Sequence, residues 1–277
     1  MSFNFEGYLS EETKILSKDI YHNNKEYFNL VKDYNELCHR FKFNIEIHDK
    51  NAQEVSISGL YILLLNSLAS IYELTLRGLT SDAKVVIRSM VEKLIKLKFC
   101  SLDYSNAIQY IQQDEIKRLK WMRIIKENKI KGFSEQVTQS ISEDDIKIMH
   151  DHLKKHKIKA LPNLEVLSKE VGLEELYSYV YRLFSEEIHA NPRTIEDLFE
   201  YNEKNDIRTV KWYPDVKKLL PEIRLILMTS IDIIDKTLNI LFDLYNTKDK
   251  KDPRTTQYMM LNETLLKLST TNNLQMK

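Results

Sequence analysis

Residues 60–99 read "LYILLLNSLASIYELTLRGLTSDAKVVIRSMVEKLIKLKF", and the fold follows from this stretch. From Leu60 to Leu76 the side chains are overwhelmingly apolar, interrupted by Asn66 and Glu73. The run falls short of the ~20 apolar residues that a membrane-spanning helix needs, so it reads as a buried central helix, from about Val55 to Arg77. Gly78 suits a helix C-terminus, and Thr80-Ser81-Asp82 suits a new N-cap. A further helix from about Ser81 to Phe99 carries Ile87, Met90, Leu94 and Leu97 on one face. So short a link predicts that the two helices pack antiparallel.

The rest of the chain agrees. Its 277 residues contain only five glycines and five prolines, too few for the turns of a β-rich protein. Hydrophobic residues make up 43%, enough for a sizeable core. The expected class is therefore all-α, a helical bundle with a short strand pair near residues 207–212. Formal net charge is zero, so an anion-binding surface has to be a local patch. Cys38 and Cys100 make neither a disulfide framework nor a metal knuckle, which points to a reducing compartment. The first residues lack a basic end followed by an apolar block, so the expected location is the cytoplasm, with no membrane partner.

Domain organisation is expected as an N-terminal helix in residues 1–50, a helical core domain in 51–246, and a linker with a peripheral or partner-docking helix in 247–277. The first helix starts at Ser10, and Tyr27 to Phe41 continues it with an apolar face at helical spacing. A charged helix follows from Tyr104 to about Lys131. Ser142 and Asn163 cap two more, a helix spans Leu173 to Ala190, and Pro214 to Asn246 closes the core.

Several groups can carry chemistry. Arg88 and Glu92, four apart, share a helix face, either as an intrahelical ion pair or as part of a site. On the Leu173–Ala190 helix, Arg182, Ser185 and His189 lie opposite the apolar stripe. That face meets solvent in a monomer, or a partner at a cleft or dimer seam. Histidine suits proton transfer near neutral pH, and the exposed carbonyls of a helix end raise its pKa. Arginine suits a phosphate. Glu36 with His39, and Glu186 with His189, spell the Glu-x-x-His pair of di-iron bundles, but the first pair points away from its apolar face. His152 and His156 sit at metal-ligand spacing in a solvated basic stretch. Lys117, Lys120, Arg123, Lys126, Lys129 and Lys131, with Trp121, give the charged helix a cationic surface suited to a nucleic-acid backbone, although Asp114, Glu115 and Glu127 are interleaved.

"AKVVIRSMVEKLIKLKF", followed about ninety residues later by "LYSYVYRLFSEEIHANP", resembles a bacterial family of helical proteins of unknown function. The marks of the resemblance are an Arg-x-x-x-Glu helix (Arg88, Glu92) and a Tyr-x-x-x-Ser-x-x-x-His helix (Tyr181, Ser185, His189). It covers about Leu60 to Asn246. The arrangement also resembles the HEPN superfamily of toxin and phage-defence nucleases. Their signature is an arginine separated by four to six residues from a histidine, and six residues separate Arg182 from His189. Leu183 stands where those nucleases usually carry a small polar residue. The resemblance implies metal-independent RNA cleavage with no cofactor, in a homodimer, with a possible partner protein from a neighbouring gene. It implies catalytic roles for Arg182, His189 and Glu92, and substrate-binding roles for Arg88, Ser185 and Asn191.

Overall fold

The computed structural model describes residues 3–45, 47–127, 141–181, 184, 199–202, 206–210, 215–245 and 252–275. After a helical turn at Phe3–Glu6, the helices run α1 Glu12–Asn23, α2 Lys25–Phe41, α3 Ala52–Leu76, α4 Thr80–Leu102, α5 Tyr104–Lys126, α6 Glu143–Lys155 and α7 Leu164–Glu170. There follow α8 Glu174–Leu176, which passes directly into a π-helical turn at Tyr177–Tyr181, then α9 Val216–Leu244 and α10 Pro253–Gln275. A two-stranded antiparallel sheet, β1 Phe199–Tyr201 and β2 Ile207–Val210, lies between α8 and α9. The fold is all-α apart from that hairpin.

The α3–α4 hairpin forms as its sequence dictates. Gly78 takes a positive φ of 78°, its N–H reaches Thr75 O at 3.0 Å, and Leu79 N–H reaches Leu74 O at 2.9 Å. This glycine-ended hydrogen-bond pattern satisfies carbonyls that a helix end would otherwise leave open. The expected Thr80-Ser81-Asp82 cap does not form. Thr80 is already helical, and the N-cap position falls on Leu79, with no capping side chain. Elsewhere the side-chain caps hold: Asn51 on α3, Ser142 in a reciprocal capping box with Asp145 on α6, and Asn163 on α7.

The helix α3 has 25 residues, more than its apolar run suggests. It is long and apolar enough to cross a bilayer, yet 56% of its most apolar window is buried by the other helices. Its partners are α4, α5, α9 and α2. Leu64, Leu68 and Ile71 meet Ile87, Met90, Leu94, Ile231, Ile234 and Leu238 in one core, to which Tyr34, Leu37 and Phe41 also belong. All of these are fully buried, so truncating one of the leucines to alanine costs about 2–5 kcal/mol.

Further expectations are corrected. The first helix is broken in two at Asn24 (φ −130°, ψ 25°). The buried Asn24 side chain donates to Ile20 O and accepts from Arg224 Nε at 3.0 Å, tying the break to α9. The strand pair is not confined to 207–212, because β2 finds its partner upstream at Phe199–Tyr201. The span Leu173–Ala190 does not open as a regular α-helix: it starts as one α-turn and becomes a π-turn. The charged helix α5 is described to Lys126, short of Lys131.

Candidate functional site

The π-turn is where the two candidate helices meet. It packs on α4 and carries Tyr177 and Tyr181, whose rings stack with centroids 4.7 Å apart. Arg88, midway along α4, lays its guanidinium over the Tyr181 ring, 4.4 Å from the centroid. Arg88 Nη2 also donates to Tyr181 Oη at 2.6 Å. One ring thus takes a cation on its face and a hydrogen bond at its hydroxyl, a pairing worth about 0.5–2 kcal/mol in a partly buried setting. Turns of π-helix are rare and gather at functional sites, because the extra residue re-aims side chains that a regular helix would carry past their partner.

Arg88 and Glu92 do not form the anticipated ion pair. Glu92 pairs with Lys96 at 2.6 Å, one turn further on, while Arg88 turns to Tyr181. Among the described residues, no carboxylate pairs with Arg88. The planar fork of that half-buried guanidinium suits an anion.

Beside this row lies a group that sequence reading missed. Lys93 Nζ donates to Ser67 Oγ of α3 at 2.7 Å and to Ser89 Oγ at 2.9 Å. Burial holds its pKa below the usual lysine value, opposed by Glu92 and assisted by Lys96. The helical spacing of Ser89 and Lys93 was legible, whereas the approach of Ser67 depends on how α3 and α4 align. Tyr181 was legible as a motif residue only, since nothing in the sequence marks a π-turn.

Arg182, Ser185, His189 and Asn191, like Leu183, lie outside the described residues. Of the proposed set, the structure therefore describes Arg88 and Glu92. The remaining candidates are placed as follows. Glu36 and His39 are exposed and engage Arg40 and Lys42 on their own helix and its end. His152 Nε2 lies 3.0 Å from Glu115 Oε2, with its ring 4.5 Å from that of His156. Among the described residues, no group of three or more His, Cys, Asp or Glu is placed to hold a metal ion. Lys129 and Lys131 fall outside the described residues.

Residues 54–207 match DUF5677, a family of unknown function, and the chain belongs to that family. The match takes in α3, α4 and the π-turn, and stops before α9, short of the expected limit at Asn246. No curated protein and no solved structure matches the chain.

Proposed function

We propose that this chain is a metal-independent endoribonuclease effector of the HEPN type, acting in a toxin or phage-defence setting, in the cytoplasm and as a homodimer. The observation that carries the reading is the Arg88–Tyr181 contact. It puts a half-buried cation, with no carboxylate partner among the described residues, at the π-turn that leads directly into the Arg182–His189 stretch. A phosphodiester is the natural ligand of such a cation.

In the proposed reaction the ribose 2′-hydroxyl attacks its own phosphorus, and the bond from phosphorus to the 5′ oxygen breaks. A cyclic 2′,3′-phosphate and a free 5′-hydroxyl result. The 2′ proton leaves to a base and another reaches the departing oxygen, with His189 as one of the two transfer groups. Arg182 stabilises the charge on the phosphorane. Glu92 acts from the neighbouring helix, and Arg88, Ser185 and Asn191 bind the substrate.

The same contact also favours a second reading, a non-enzymatic helical module in which Arg88 fastens α4 to the π-turn and the outer surface binds a partner protein or nucleic acid. Incubating the protein with end-labelled RNA in EDTA separates the two. Cyclic-phosphate products that vanish in Arg182→Ala and His189→Ala, with unchanged thermal melts, support the nuclease. No cleavage by the native chain, together with a large loss of stability in His189→Ala, supports the module.

A further inference from the structure

The helices α5 and α6 form an antiparallel hairpin. Lys126 Nζ reaches Ile141 O at 3.1 Å, Glu115 meets His152, and Gln113 bonds to Lys159 O and Leu161 N at 3.0 Å each. Ile146, Met149 and Leu153 are half-buried at helical spacing, and the rest of α6 is exposed. The register sets Lys117 to Arg123 of α5 along the N-terminal half of α6, and Lys154 to Lys157 beyond the Glu115–His152 contact, in a chain of zero net charge. On α5, Lys117, Lys120 and Arg123 are exposed, and no ion pair among the described residues engages them. Arg118 is tied to Asp114 at 2.9 Å. Towards the other end of the hairpin, Lys154, Lys155 and Lys157 are exposed as well. Acidic groups on α6 gather in its first turn, Glu143 to Asp145, apart from Asp151, which lies 3.5 Å from the His150 ring.

Lys117, Lys120 and Arg123 recur every third residue on one helix, about 5–6 Å apart at their Cβ atoms and within the Debye length of about 8 Å at physiological salt, so they act together on an approaching anion. Trp121 stands among them and is 53% exposed, one turn from Lys117. A lysine field alone suits any polyanion. A bare indole beside it suits one whose charges alternate with flat rings.

We propose that the outer face of the α5–α6 hairpin binds a single-stranded polynucleotide, with Lys117, Lys120 and Arg123 on its phosphates and Trp121 stacked on a base. The acidic first turn of α6 directs the strand towards the Lys154–Lys157 end. This surface rests on RNA being the substrate in the proposed function, and it names where the strand is gripped.

The test is fluorescence anisotropy with a labelled oligodeoxyuridylate of about 15 nucleotides, a length that fits known single-strand sites. The probe lacks the 2′-hydroxyl, so binding is read whether or not the chain cleaves RNA. With three phosphate contacts, affinity falls about 20-fold between roughly 50 and 200 mM salt. The double variant Lys117→Gln/Lys120→Gln flattens that fall to about threefold. Trp121→Ala weakens binding about tenfold without altering the salt response, and Trp121→Phe restores most of it. Circular dichroism melts of all three variants match the native protein, since the side chains are exposed. Unchanged affinity in both the lysine and the tryptophan variants overturns the proposal. So does binding to vesicles rich in phosphatidylserine without binding to the oligonucleotide. Binding without any RNA cleavage leaves this surface standing and removes the nuclease reading.

Discussion

Tyr34 Oη donates a 3.1 Å hydrogen bond to Asp235 Oδ1, joining α2 to α9 across 201 positions of sequence. Asn262 of α10 donates to the same oxygen, and Asn239 donates to Oδ2, each at 3.2 Å. Burial raises the pKa of Asp235, more than the hydrogen bonds from Tyr258 and Tyr34 lower it. A carboxyl raised in the folded state contributes stability that is complete below its unfolded value and is lost as pH rises through the folded value. Melting temperature should therefore carry a component that falls as pH rises above about 4, the ordinary aspartate range. Asp235→Asn should remove that component and keep an acceptor for Tyr34. Asp235→Ala should cost about 1–3 kcal/mol, because the fully buried Tyr34 hydroxyl then has no acceptor. Equal pH profiles for the native chain and the Asp235→Asn variant would contradict this account.

Gly78 offers a test of the hairpin turn. A Cβ there would stand 3.4 Å from Ile20 Cδ1 and Leu219 Cδ1, so space is tight but not closed. The larger effect is its φ of 78°, which costs an L-residue about 1–2 kcal/mol. Gly78→Ala should lower stability in chemical denaturation by about that amount, with the same urea slope. Gly78→Asn should be milder, since asparagine tolerates this region.

Cys38 and Cys100 are both fully buried, and burial pushes each thiol up to about 12. Only the thiolate is nucleophilic. Iodoacetamide at about pH 8 should leave the native chain unlabelled and modify both cysteines in denaturant, as mass spectrometry would show. Rapid labelling of the native protein would mean that the α2–α3–α4 core opens readily.

The helices were legible because their cause is local: apolar period, capping residue, glycine at the turn. Ile87 and Leu238 declare the buried faces of their helices by spacing, whereas Leu64 sits in a run so uniformly apolar that only packing separates it from the exposed Ile62 and Leu63. The break at Asn24 was not legible, because its reason lies in Arg224, two hundred positions away. The π-turn was missed for a similar reason, since Tyr177 to Tyr181 reads like any helical stretch until α4 packs on it. The half-buried state of Arg88 followed from its place at the edge of an apolar stripe. Its choice of Tyr181 over Glu92 followed from tertiary packing, which no spacing encodes.

Arg88 and Tyr181 can be separated by a short series of variants. Tyr181→Phe keeps the ring under the guanidinium and removes the hydroxyl acceptor, so a loss of about 1 kcal/mol is expected. Arg88→Lys keeps the charge but gives up the planar stacking and fork geometry, and should lose more. Arg88→Ala removes both interactions and should cost the most. If the contact is only a fastener, stability and RNA cleavage should fall together across the series. If Arg88 also holds a phosphate, Arg88→Lys should raise KM for RNA well beyond what its melting temperature explains. Tyr181→Phe should then cleave nearly as well as the native chain, since it leaves the cation in place. A Tyr181→Phe variant that is stable yet inactive would instead place the phenol itself on the substrate, and the role assigned to Arg88 would fail.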